Sequence, residues 1–122
     1  MRRVALMLSV LMLMAFAGVA QDAVEVDPDH YEVTFENEHV RILKIHYEPG
    51  ETSVMHYHPA GVSVFPTDIH VEFELPDGTT QVLEGKAGDS GWIPAGHHLP
   101  TNVGDQPFTG YHIEIKSLDE GE

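Results

Sequence analysis

His56 and His58 flank Tyr57 in the stretch His56-Tyr57-His58. On an extended strand, residues two apart point to the same face, so the two imidazoles leave the backbone side by side. Neutral imidazole is a common ligand for divalent transition metals, and such a pair is a natural start for a metal site. His-x-His alone is a weak signal in a chain with 9 histidines. The competing reading is two surface histidines, and the remaining histidines show how ordinary that is. His70 and His112 alternate with glutamates on strand-like segments and are expected on the solvent face. His30 and His39 sit beside acids and are expected at the surface. His46 lies in a segment whose facing the pattern leaves open.

A second segment lifts the pair above that background. Gly50 precedes His56 by five intervening residues. Downstream, Gly88 is followed after five residues by Pro94-Ala95-Gly96, then His97-His98, then Asn102. Together these resemble the two motifs of the cupin family, in their usual order and separation, over roughly residues 41–116. The first family motif is Gly, five residues, His-x-His, three or four residues, Glu, six residues, Gly. The second is Gly, five residues, Pro-x-Gly, two residues, His, three residues, Asn. The resemblance implies an all-β, RmlC-like jelly roll: a small antiparallel β-barrel with a metal inside it. The ligand set it implies is His56, His58 and His98, since the spacing from His98 to Asn102 is the family's own. His97, next to it, is expected to face the other way.

The departures are specific. The family's glutamate falls at Gly61 or Val62, neither of which carries a ligating side chain, and the closing glycine falls near Asp68 or Ile69. Only His97 separates Gly96 from His98, where the family has two residues. Three neutral imidazoles leave open positions on a first-row ion, and zinc, iron, copper, nickel and manganese all suit such a site. Without the glutamate the site is more neutral and lacks a carboxylate base. Catalysis therefore stays open, between a metal-dependent oxygenase, isomerase or hydrolase acting on a small organic molecule and a non-catalytic metal- or ligand-binding protein. A barrel without metal is a third reading. Val62, Val64 and Trp92 are expected to line the pocket, with Trp92 mainly a core residue. Asn102 is expected to make a structural hydrogen bond near a turn. No other serine or carboxylate stands at a spacing that marks a nucleophile or base.

The elements that must position these residues read as strands. Val40 to Tyr47 is rich in β-branched and aromatic residues and stops at Pro49-Gly50. Ile69 to Leu75 alternates apolar and polar, and Pro76-Asp77-Gly78 turns it into Thr79 to Leu83. A last strand runs through Tyr111, Ile113 and Ile115. Glycine and proline are too frequent between these segments for helices, and many short strands indicate a sandwich or barrel. The organisation expected is a signal peptide over 1–20, an acidic lead-in and first strand over 21–38, the cupin-like barrel over 39–117 and an acidic tail over 118–122. The lead-in, ending in Asp27-Pro28-Asp29, is expected to be loosely held.

Residues 1–20 begin with Arg2 and Arg3, run apolar from Val4 to Phe16 and end in small residues. That is the layout of a secretory signal peptide, with cleavage expected after Ala20 or Ala17. The apolar run is short of the ~20 residues needed to span a bilayer. Export to the periplasm or beyond the cell is therefore expected, with no membrane attachment after cleavage. Losing the two arginines takes the formal net charge from −14 to −16. So acidic a surface repels nucleic acid and anionic lipid, and a nucleic-acid partner is excluded. The chain has no cysteine, which removes disulfides, thiolate metal sites and a cysteine nucleophile together. A small-molecule ligand and a homodimer are the partners the resemblance implies.

Overall fold

A computed structural model of the chain describes residues 21–119. The expected signal peptide lies outside the described residues. Nine strands follow a single helical turn, α1 (Ala23–Val26): β1 (Tyr31–Glu36), β2 (Val40–Tyr47), β3 (His56–His58), β4 (Gly61–Val64), β5 (Ile69–Glu74), β6 (Thr80–Gly85), β7 (Ser90–Ile93), β8 (Gly96–Asn102) and β9 (Phe108–Ile115). A second turn, α2 (Lys116–Asp119), ends the described chain. β2 coincides with the segment that β-branched residues marked in the sequence.

The strands form two sheets, one ordered β1-β2-β9-β4-β7 and the other β3-β8-β5-β6. Every strand pairing within them is antiparallel. The chain passes repeatedly from one sheet to the other, as in a jelly roll. The expected closed barrel is not formed among the described residues, because no strand ladder joins the two sheets. Tyr31, Leu43, Tyr47, Phe65, Ile69, Val71 and Phe108 are buried between them.

Alternation settles β5 as the sequence suggested: Ile69 and Val71 are buried and His70 faces water. The following hairpin is closed by Asp77, whose Oδ1 accepts hydrogen bonds from the Thr79 backbone and hydroxyl. In β9 the phase is opposite to the expectation. His112 and Glu114 are each 2% exposed, and they point inward with Phe108 and Gly110. A period of two fixes which residues share a face but not which face is inside when both carry apolar groups. Here the outer face is apolar too. Phe35, Ile42, Ile113, Val62 and Trp92 form one cross-strand row over all five strands of the first sheet.

Three further expectations are corrected by the same geometry. Trp92 is 55% exposed and belongs to that outer row, so it is neither core nor pocket wall. Val62 and Val64 alternate with the buried Gly61 and Ser63 and are likewise on the outer face. The lead-in is not loose. Ala23 is fully buried, the Gln21 carbonyl accepts from the Tyr57 amide, and Asp22 pairs with Arg41. An inward-pointing arginine on β2 needs counter-charges, and Asp22 and the buried Glu114 supply them.

Candidate metal centre

β3 and β8 are neighbours, and their register places His56 opposite His98 and His58 opposite Gly96. Pleating sends His56, His58 and His98 into the space between the sheets, while Tyr57 and His97 pair on the opposite face, ring centroids 5.1 Å apart. The turn glycines that open the two motifs, Gly50 and Gly88, have φ of +80° and +93°, the left-handed region that favours glycine.

The three imidazoles converge. One ring nitrogen from each lies within 4.8 Å of the others. Ring centroids are 4.7 Å apart for His56 and His58, 4.9 Å for His56 and His98, and 5.1 Å for His58 and His98. His56 is fully buried and His58 is 5% exposed. Nε2 of His56, Nδ1 of His58 and Nε2 of His98 are buried without a hydrogen-bond partner. Buried polar atoms are nearly always paired, so three converging rings that each carry an unpartnered nitrogen are a set of donors for a cation. The donor set therefore fits a divalent transition metal.

Electrostatics agrees with three neutral ligands. Burial, reinforced by the other histidines, holds His58 well below the usual imidazole range, and it lowers His98 to about 3. His56 is lowered by burial too, partly offset by the hydrogen bond to the Val54 carbonyl. Neutral imidazole is the metal-binding form.

Surrounding groups fix the rings. Nδ1–H of His56 donates to the Val54 carbonyl at 2.8 Å, which leaves Nε2 as the acceptor atom facing the cluster. Ser53 Oγ stands 3.3 Å from the same Nδ1 and donates to Asp27 Oδ2. Asp27 in turn accepts from His30 Nδ1 at 2.7 Å. Phe73 stacks on His98 with centroids 4.5 Å apart, and Tyr31 lies edge-on to His56 at 4.8 Å. His112 packs against His58 at 5.4 Å. Its Nε2–H donates to the Pro59 carbonyl at 2.9 Å, so its Nδ1 accepts from Ser63 Oγ, also at 2.9 Å. Both nitrogens are engaged, and His112 is a wall of the site.

The sequence pattern missed this surrounding layer. His30, expected at the surface, has a side chain 11% exposed and stacks on Tyr47 with centroids 4.2 Å apart. The Asp27-x-x-His30 spacing was a signal for the pair, since residues three apart meet in a tight turn. Nothing in sequence links Ser53 to Asp27 or Ser63 to His112. Asn102, 1% exposed, is where the motif suggested: its side chain donates to the Tyr47 and Gln106 carbonyls and accepts from the Gly104 amide. It ties the end of β8 to the end of β2.

The missing glutamate has a structural counterpart. Gly61 lies against β9, and a Cβ there would overlap the Ile113 carbonyl oxygen and stand 2.8 Å from its carbon. No side chain fits at 61, and Val62 faces outward. The inward carboxylate of the region, Glu114, is held by Arg41.

The chain is similar in structure to a cupin domain from Bordetella pertussis Tohama I, with 29% identity, a TM-score of 0.63 and coverage of 70% of this chain and 90% of that one. It is similar to a conserved protein with a double-stranded β-helix domain from Klebsiella pneumoniae, at 24% identity, TM-score 0.54 and coverage of 68% and 72%. An RmlC-like cupin family protein from Methanocaldococcus jannaschii matches at 19% identity and TM-score 0.56, with coverage of 73% and 84%. The last two show likeness of fold alone. No family model and no curated protein matches the sequence.

Proposed function

From the cupin fold that this chain has, we propose that it is an exported protein holding a divalent transition metal through His56, His58 and His98, and that the metal meets a small molecule in the space between the sheets. One observation carries the reading: three buried imidazoles converge, and each has a ring nitrogen without a hydrogen-bond partner. When bound, the metal supplies a Lewis acid and a site at which water or a ligand oxygen or sulfur is polarised. The chain's own part is to keep the imidazoles neutral, fix their tautomers and exclude bulk water.

Binding without turnover is favoured over catalysis by a second observation. Among the described residues, the proton-carrying side chains nearest the cluster are engaged: Ser63 and His112 satisfy each other and Glu114 is tied to Arg41. The apolar row on the outer face supports a homodimer, because an isologous contact buries the same row from each copy.

Elemental analysis of the untagged mature protein tests the site, beside His56→Ala, His58→Ala and His98→Ala, with circular dichroism as the check on folding. One metal per chain, lost in all three folded variants, is the expected result. No metal in the wild type after supplementation with zinc, iron and copper overturns it.

A further inference from the structure

A cavity of about 60 Å³ opens directly beside His58 and His98. Its remaining walls are mostly apolar, with Phe65, Val71, Phe73 and Leu83 among them, and among the described residues no aspartate, glutamate, lysine or arginine side chain lines it. The polar side chains that do reach it are already paired. The Tyr31 and Tyr47 hydroxyls bond each other at 2.7 Å, and Ser63 bonds His112, whose other nitrogen is held by Pro59. Of the residues lining the cavity, His58 and His98 are the ones with a buried ring nitrogen that lacks a partner.

This distribution constrains the occupant. A metal ion neutralises one ligating atom, which is free to be anionic. A second charged group too far along the molecule to reach the metal would be stripped of water and left without a counter-charge beside it. At ~10–15 Å³ of such cavity space per water, the cavity takes roughly four to six water-sized groups, so the part that enters is a short chain of a few heavy atoms. Resting on the metal reading above, we infer that the ligand of this site is a small molecule with a single metal-binding head and an uncharged, largely apolar body. Ligands that carry a carboxylate or an ammonium group beyond reach of the metal are excluded by the same walls. Selection comes from the missing partners, as in any site that leaves a buried polar group unpaired.

The test uses the cobalt(II)-loaded full mature protein and thiols as probes, because a thiolate on cobalt gives a near-ultraviolet charge-transfer band. Two pairs match shape while differing in charge: propanethiol against cysteamine, and isoamyl mercaptan against β-mercaptopropionate. The uncharged member of each pair is expected to half-saturate the band at a concentration roughly tenfold or more below its charged partner. Propanethiol is also expected to shift the methyl resonances of Val71 and Leu83 in the zinc-loaded protein. Equal or tighter binding of the charged thiols overturns the ligand class while leaving the metal site standing. A band without methyl shifts overturns it as well, because the body then lies outside the cavity. Failure of cobalt to bind is the separate result that removes the metal reading and this assignment together.

Discussion

His56 on β3 and His98 on β8 are direct cross-strand partners, with ring centroids 4.9 Å apart and planes at 85°. Each carries an Nε2 buried without a partner. In the metal-free protein these orphans cost stability, and a bound ion relieves the cost. An apolar residue in place of one of them should remove the penalty and the metal together. His98→Leu is thus expected to melt no lower than the metal-free wild type and to lose the rise on adding zinc. For the wild type that rise should reach about 2.7 kcal/mol at a hundredfold excess over Kd. Calorimetric scans with and without zinc decide it; a zinc-dependent rise retained in the variant removes His98 from the ligand set.

Restoring the family's glutamate should fail. The backbone of β9 occupies the place where a Cβ at 61 would go, so Gly61→Ala and Gly61→Glu are both expected to cost about 3 kcal/mol or more in urea unfolding, at or beyond the usual range for overpacking. Val62→Glu, on the outer face, should fold and leave zinc affinity unchanged. A stable Gly61→Glu with tighter zinc binding would show that β9 moves aside.

Asp27 reaches His56 through Ser53, an arrangement that orients the ring and raises its basicity as a ligand. Asp27→Asn and Ser53→Ala are expected to lower zinc affinity about 10–100-fold, measured by competition with a chromophoric chelator. The visible bands of the cobalt(II) form should shift in both variants. Glu51→Gln, at the half-exposed end of the His30 contact, is the control expected to leave both readouts unmoved.

Acid should weaken the metal-free fold before the carboxylates titrate. His56, His58 and His98 are all lowered from an ordinary 6.5. Below that value the unfolded chain binds protons that the folded chain does not, so stability falls as pH drops. The loss starts near 6.5 and continues to about 3, the folded value for His98. Between 6.5 and 4.5 the ordinary glutamates, with their value of 4.5, contribute little, and the slope there belongs to the histidines. Urea midpoints across this window should fall for the wild type and fall less steeply in His98→Leu, which keeps His56 and His58; a flat wild-type profile contradicts their neutral burial.

The outer row of the five-stranded sheet predicts an oligomer. Light scattering after gel filtration should give the mass of a dimer at micromolar concentration, and Ile113→Lys, at the centre of the row, should give a monomer of unchanged secondary structure. A wild type that stays monomeric at every concentration argues against self-association through this face.

An all-β sandwich or barrel and the β5–β6 hairpin were legible from local rules, while the jelly roll and the inward choice of His98 over His97 rested on the resemblance of the two motifs to the cupin family. Turn residues stop strands, and side chains alternate with a period of two. His56, His58 and His98 could be named together since two motifs with fixed spacing carry them. Three other features were decided only in three dimensions. The facing of β9 depended on the outer sheet face being apolar as well, which left His112 and Glu114 free to point inward. The lead-in was acidic and looked loose, yet an inward Arg41 drew Asp22 to it, and Ser53 with His30 drew in Asp27. The absent glutamate was visible as Gly61, but its cause, the β9 backbone filling that space, comes from contact between residues far apart in the chain. Sequence periodicity speaks for neighbours along the chain, and the charge and packing partners of a buried group are chosen by neighbours in space.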